Sequence, residues 1–279
     1  MKKQHFFILL FSFLFLSCAS IRFKELEIDQ TQALKGSVKE IKIKKEHSNF
    51  RLDLGEKDTV TMTEEYTFLY AKNNQLIKQF EEDETGEVAY IFSYNEDGTL
   101  KNQILKYPGN VSRQEYKYDK KKNNFEYLHF ENDSLVFRKT KKFDSNNNPV
   151  EINYNNPQST KLDCRVTYSY DYQTKSAICK TFDYNNIEKD HYLKYNYDKR
   201  GNIIKSETIQ YKPNNPNPYY SVKEYDNSDN IIKHTLMAYG SSRTINYIYE
   251  YDRVGNIVKS EKYYDGKLIL KINNQITYY

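Results

Sequence analysis

Along most of the chain, apolar and aromatic side chains alternate with polar ones at a period of two. The stretch "YNYDKRGNIIKSE" (195–207) shows the pattern in full, and "YEYDRVGNIVKSE" (249–261) repeats it with nine of thirteen positions identical. Side chains at i and i+2 share one face of a strand, and aromatic and β-branched residues suit a pleated, half-buried surface. The Asp after the second aromatic can accept from backbone two residues on and start a turn. The Gly three residues later supplies a positive φ. Ile or Val then restarts a strand, so the unit reads as strand, hairpin turn, strand.

Fainter copies lie at 68–78, 92–101, 116–127, 141–152, 168–180 and 223–233. The anchor aromatics of all eight copies are Tyr70, Tyr94, Tyr118, Phe143, Tyr170, Tyr197, Tyr225 and Tyr251, at gaps of 24, 24, 25, 27, 27, 28 and 26 residues. Each unit holds two strands and a second, looser turn, such as "YPGN" (107–110), "ENDS" (131–134) or "YGSS" (239–242). A hairpin cannot bury its own apolar face and must stack on its neighbours. Accumulated twist curls a sheet of this size. The expectation is therefore an all-β antiparallel meander of about sixteen strands, forming one twisted, curved open sheet over 36–279. The one helical period, 24–35, has Asp29 as a candidate N-cap and Gly36 as a stop.

The amino terminus breaks the alternation. Lys2 and Lys3 precede an apolar run from Phe6 to Leu16 that ends in Ser17-Cys18. This is the form of a secretory signal, and the run is short for a membrane span. "FLSC" resembles the lipobox of bacterial lipoproteins, which implies lipidation of Cys18. The expected organisation is a signal peptide at 1–17, a tether with a short helix at 18–35, and the repeat domain at 36–279. The expected location is the bacterial cell envelope, with a lipid anchor in the outer membrane.

Composition narrows the function classes. The formal charge of +4 falls to +2 once Lys2 and Lys3 are removed (40 basic against 38 acidic residues), and the signs are interspersed. No basic stripe appears, which speaks against nucleic acid. In the exported chain Cys164 and Cys179 flank one proposed turn; a disulfide and two separate thiols both fit this placement. His47, His129, His191 and His234 have no metal-type spacing and read as exposed strand positions. The repeated carboxylates, Asp198, Asp226 and Asp252 among them, sit where a turn needs an acceptor. With Gly201, Asn202, Gly255 and Asn256 they read as turn residues. No catalytic set and no cofactor are expected. The aromatics Tyr195, Tyr197, Tyr249 and Tyr251 read as sheet packing or as a binding platform, because Tyr offers a flat apolar face with a polar tip.

The units resemble those of the YD-repeat (Rhs-repeat) family, which carry Tyr-Asp, two residues and Gly. Leu34-Lys35-Gly36-Ser37-Val38-Lys39 is similar to the start of short bacterial YD-repeat lipoproteins. The resemblance covers about 34–279; Asn202 and Asn256 stand where the family usually has Arg after Gly. The expected function is a membrane-tethered extracytoplasmic repeat scaffold, non-catalytic, binding a glycan or an envelope protein. Two alternatives remain open: an envelope carbohydrate-active enzyme, and an immunity or accessory partner of a secreted toxin.

Overall fold

The computed structural model describes residues 34–49, 60–83, 86–107, 109–157, 162–210, 219–238 and 240–279. The signal segment, Cys18 and all of the candidate helix before Leu34 lie outside them. Gly36 has φ +72° in a bend, and regular structure starts at Val38.

The described residues form eighteen strands. The first six are β1 (Val38–Asn49), β2 (Val60–Tyr70), β3 (Leu76–Asp83), β4 (Gly86–Tyr94), β5 (Leu100–Tyr107) and β6 (Asn110–Asp119). Next come β7 (Asn124–Glu131), β8 (Ser134–Phe143), β9 (Pro149–Asn155), β10 (Leu162–Asp171), β11 (Ser176–Phe182) and β12 (Glu188–Tyr197). The last are β13 (Ile203–Gln210), β14 (Tyr220–Tyr225), β15 (Ile231–Ala238), β16 (Ser241–Tyr251), β17 (Ile257–Tyr264) and β18 (Lys267–Tyr278).

All pairings are antiparallel and sequential, and β18 pairs with β1 from Val38↔Tyr278 to His47↔Leu270. The sheet is therefore a closed barrel of eighteen strands. This corrects the expectation of an open, curved sheet of about sixteen. Closure removes both edges, which otherwise leave a row of unpaired N–H and C=O groups.

The anchor aromatics Tyr70 to Tyr251 stand at the ends of the even-numbered strands β2 to β16, last in each except Tyr118 and Tyr170, which are followed by the terminal Asp119 and Asp171. Tyr278 ends β18 as a ninth anchor, 278 − 251 = 27 residues after Tyr251. The turn that should follow it is split between distant parts of the chain. In an intact unit Asp198 N–H donates to Asn202 O (2.9 Å), Gly201 has φ +81°, and Ile203 pairs with Tyr197. In the ninth unit Tyr279 N–H donates to Ser37 O (3.0 Å), Gly36 supplies the positive φ, and Val38 pairs with Tyr278. Leu34–Val38 thus completes the last hairpin in trans and locks the ring. Asn256 binds this segment by accepting from Lys35 N–H (2.7 Å) and donating Nδ2–H to Lys35 O (2.7 Å). Asn74 on the other side accepts from Val38 N–H (2.9 Å) and donates to Gly36 O (2.7 Å).

The register explains the tyrosines. After most of these turns one residue is inserted as a bulge, as between Tyr197↔Ile203 and Asn196↔Lys205. A bulge leaves a carbonyl without its ladder partner. A hydroxyl from the next unit fills that role: Tyr94 donates to Leu76 O (2.9 Å), Tyr170 to Pro149 O (2.9 Å), Tyr225 to Ile203 O (2.8 Å) and Tyr249 to Ile231 O (2.8 Å). The bulged residue points outward, which accounts for exposed Ile77, Ile204 and Ile232.

Candidate binding lumen

Register alone sorts the two faces of the barrel. From Ile41 the inward set runs Phe68, Gln79, Tyr90, Leu105 across β2 to β5, and Tyr168, Cys179, Leu193, Thr208 across β10 to β13. The largest buried cluster, which includes Val38, Ile41, Phe68, Phe92, Tyr116 and Phe125, faces inward. The outer face carries Lys42, Lys44, Lys117, Lys194, Lys233 and Lys271. Cross-strand ion pairs also lie there: Lys142–Glu151 (2.8 Å), Lys233–Glu224 (3.0 Å) and Lys259–Glu250 (2.7 Å). Much of the interspersed charge of the sequence lies on this outer face.

The inner face encloses a cavity of about 910 Å³ that reaches the rim of Asp turns. Its wall is aliphatic along β16, β18 and β1, at Ile245, Ile272, Ile276 and Ile41, and aromatic at Tyr94, Tyr195, Tyr247 and Tyr249. Four cationic or basic side chains also border it: Lys45, Lys223, His234 and Lys262. Burial, together with the adjacent Lys223 and Lys262, holds the His234 imidazole down to about 4, so it is neutral at pH 7. Burial likewise lowers Lys223.

The predicted turn residues form a polar rim over this cavity. Asp198, Asp226 and Asp252 each accept backbone N–H bonds from the residues two and four further on, at 2.8–2.9 Å. Burial opposes their ionisation, yet these donors outweigh it and leave all three carboxyls below the usual range. The Asn four residues after each Asp is buried: Asn202 0%, Asn230 4% and Asn256 2% exposed. Asn230 Nδ2–H donates to Tyr251 Oη (3.0 Å), whose hydroxyl donates to Asp226 (2.9 Å). Asn256, Tyr278 and Asp252 repeat the arrangement, as do Asn148, Tyr172 and Asp144. Asn202 instead donates to Asp229 Oδ1 (2.8 Å), which also pairs with Arg200 (2.9 Å). Each turn is thus latched to the next unit, and Asn256 and Asn230 also border the cavity.

The four aromatics read as sheet packing or a platform divide. Tyr195 and Tyr197 are buried inside, Tyr249 borders the cavity, and Tyr251 serves the rim latch. No outward aromatic stripe forms from them. Cys164 and Cys179 are free thiols. Both face inward, but Cys179 opposes Tyr168, which stands four residues along β10 from Cys164. Two pairs of residues span about 13 Å of strand, beyond disulfide reach. Burial pushes the Cys179 thiol up to about 11.

The histidines were expected at exposed strand positions. His191 is exposed, but His129 and His234 point inward, and His129 Nε2 bonds Ser112 Oγ (2.8 Å). The sequence reading passed over Lys223 and Lys262. Lys223 shares the alternation of Tyr225, two residues on, and that parity places it on the aromatic face. Among the described residues, no group of three or more His, Cys, Asp or Glu could hold a metal ion.

No family model and no curated protein matches this chain. Among solved structures it is similar to a porin-like protein from Bacteroides uniformis, at 12% identity and a TM-score of 0.44, over 88% of this chain and 99% of that one. A porin-like protein from Bacteroides vulgatus matches at 13% identity and a TM-score of 0.43, over 72% and 97% of the two chains. A TcdB2-TccC3 structure matches at 14% identity and a TM-score of 0.32, over 75% of this chain and 14% of that one.

Proposed function

We propose that this chain is a non-catalytic envelope protein, tethered through lipidated Cys18, whose closed barrel binds a small apolar or amphipathic molecule in its lumen. It would be a short relative of the YD-repeat proteins in which the repeat closes into a ring. The observation that carries the reading is the polarity of the two faces. A barrel that crosses a membrane turns apolar residues outward and polar ones inward, and Lys or Arg facing lipid at mid-depth costs about 2–4 kcal/mol. Here the order is reversed, with charge outside and an aliphatic, aromatic lumen inside. Anchoring is then the work of the acyl chains, and the interior is free for a ligand. Apolar cavities of this size with a few polar groups suit small molecules.

Two measurements test the two halves. Cys18→Ser should move the protein out of the membrane fraction; retention there, without labelled fatty acid on the wild type, refutes the tether. The mature chain from residue 18, made without acyl groups, should bind the uncharged dye N-phenyl-1-naphthylamine at one site per chain. Leu236→Trp, which puts an indole into the lumen wall, should weaken that binding several-fold. Absence of dye binding, or binding indifferent to Leu236→Trp, rules out the lumenal site.

A further inference from the structure

Resting on the lumenal reading, we propose that the inner wall of β14, β15 and β17 is an anion site for the head group of a single-chain carboxylate amphiphile, whose alkyl chain lies along the Ile and Tyr lining. Lys223 and His234 stand directly opposite each other across β14 and β15. Lys262 lies two strands beyond His234 and two residues along, next to Tyr264 on the same face, about 12 Å away between backbones. All three border the cavity. Among the described residues no carboxylate pairs with Lys223 or Lys262. The one carboxylate bordering the cavity, Glu261, is in register with Lys271 on the outer face. It is engaged there by Lys259 (3.1 Å) and Tyr263 Oη (2.7 Å).

His234 Nε2 is buried without a hydrogen-bond partner. Groups facing it from neighbouring strands are Lys223 on β14, Arg243 and Tyr247 on β16, and Lys262 on β17; none is acidic. Two ammonium groups gathered in an apolar chamber are costly unless an anion joins them. A bound carboxylate accepts from both lysines, and the adjacent Ile245 and Ile272 continue as apolar wall for its chain. A monoanion with one chain fits this combination of charge and lining.

The test is displacement of N-phenyl-1-naphthylamine from the mature chain at pH 7 by dodecanoate and, separately, by dodecanol. A charge-assisted hydrogen bond makes dodecanoate bind about tenfold tighter or more. Lys223→Met and Lys262→Met should each cut this preference several-fold while dodecanol affinity stays the same, and Lys223→Arg should preserve it. Equal affinity of the two ligands in the wild type overturns the anion site and leaves the lumenal reading standing. A preference unmoved by the Met variants, or Met variants that also lose dodecanol, overturns it as well. If neither ligand displaces bound dye, the anion site falls, while the lumenal reading is decided separately by dye binding and its response to Leu236→Trp.

Discussion

The buried asparagines hold the repeat together one residue at a time. A buried amide without partners costs about 1–3 kcal/mol, yet Asn202 and Asn256 are almost wholly enclosed because each finds partners: Asn202 donates to Asp198 and Asp229, and Asn256 to Tyr278 Oη and Lys35 O. Tyr251→Phe should lower stability by about 1 kcal/mol, since Asn230 and Asp226 each lose one bond. A urea midpoint moved without a change in slope is the expected result; no shift would mean that the latch contributes nothing.

The titrating side chains make two further expectations at this scale. Burial raises Tyr94 and Tyr251 to about 12, from an ordinary value of 10.0. Unfolded tyrosines release protons above pH 10 while the folded ones keep them, so stability is complete below pH 10 and falls as pH rises toward 12. Alkaline unfolding should therefore coincide with a cooperative rise in tyrosinate absorbance. His234 runs the other way. Its folded value of about 4 lies below the ordinary 6.5, so the unfolded chain takes up the proton first and stability falls as pH drops from 6.5 toward 4. His234→Gln should flatten the urea midpoint across that window; an unchanged slope would show that His234 is not the titrating group.

At the scale of the element, the unit is a three-residue hairpin loop, a type I turn followed by a left-handed residue, with a bulge beyond it. The left-handed place is taken by Gly201 and Gly255, but also by Asn74, Asn147 and Asp229 at φ of 60–66°. Asn and Asp tolerate that region, which is why the copies lacking Gly still turn. Gly201→Val forces a β-branched residue into it and should cost about 1–3 kcal/mol. Asn186→Gly, at φ 61° and exposed, should stay within about 0.5 kcal/mol, since relief of backbone strain offsets the added freedom of the unfolded chain. Equal costs at the two sites would mean that backbone conformation is not what selects Gly.

At the scale of the molecule, closure is the property to test. Amides of β1 and β18 donate into each other from Val38↔Tyr278 to His47↔Leu270. In a closed ring their hydrogen-exchange protection should match that of β16 and β17. An open sheet would leave alternate amides of β1 or β18 exchanging fast, and that pattern would sink the barrel.

The strands, the Asp turns and the spacing of anchor aromatics were legible in the chain because each depends on contacts within a few residues: alternation, an Asp acceptor, a residue that tolerates positive φ. Two units, ending in Asp119 and Asp171, were equally legible although their turns carry no bulge. The ninth unit was hidden because its turn is assembled from Gly36 and Tyr279, and no local window contains both. That omission made eight repeats look like an open sheet. The sequence by itself determined which residues lie on one face of each strand. Only the tertiary structure decided which face is inside, since alternation is identical for an inward and an outward stripe. Closure depends on twist summed over eighteen strands and on one long-range pairing. That pairing turned the aromatic stripe from a sheet surface into the wall of a chamber, which Lys223, His234 and Lys262 border from neighbouring strands already joined by local pairing.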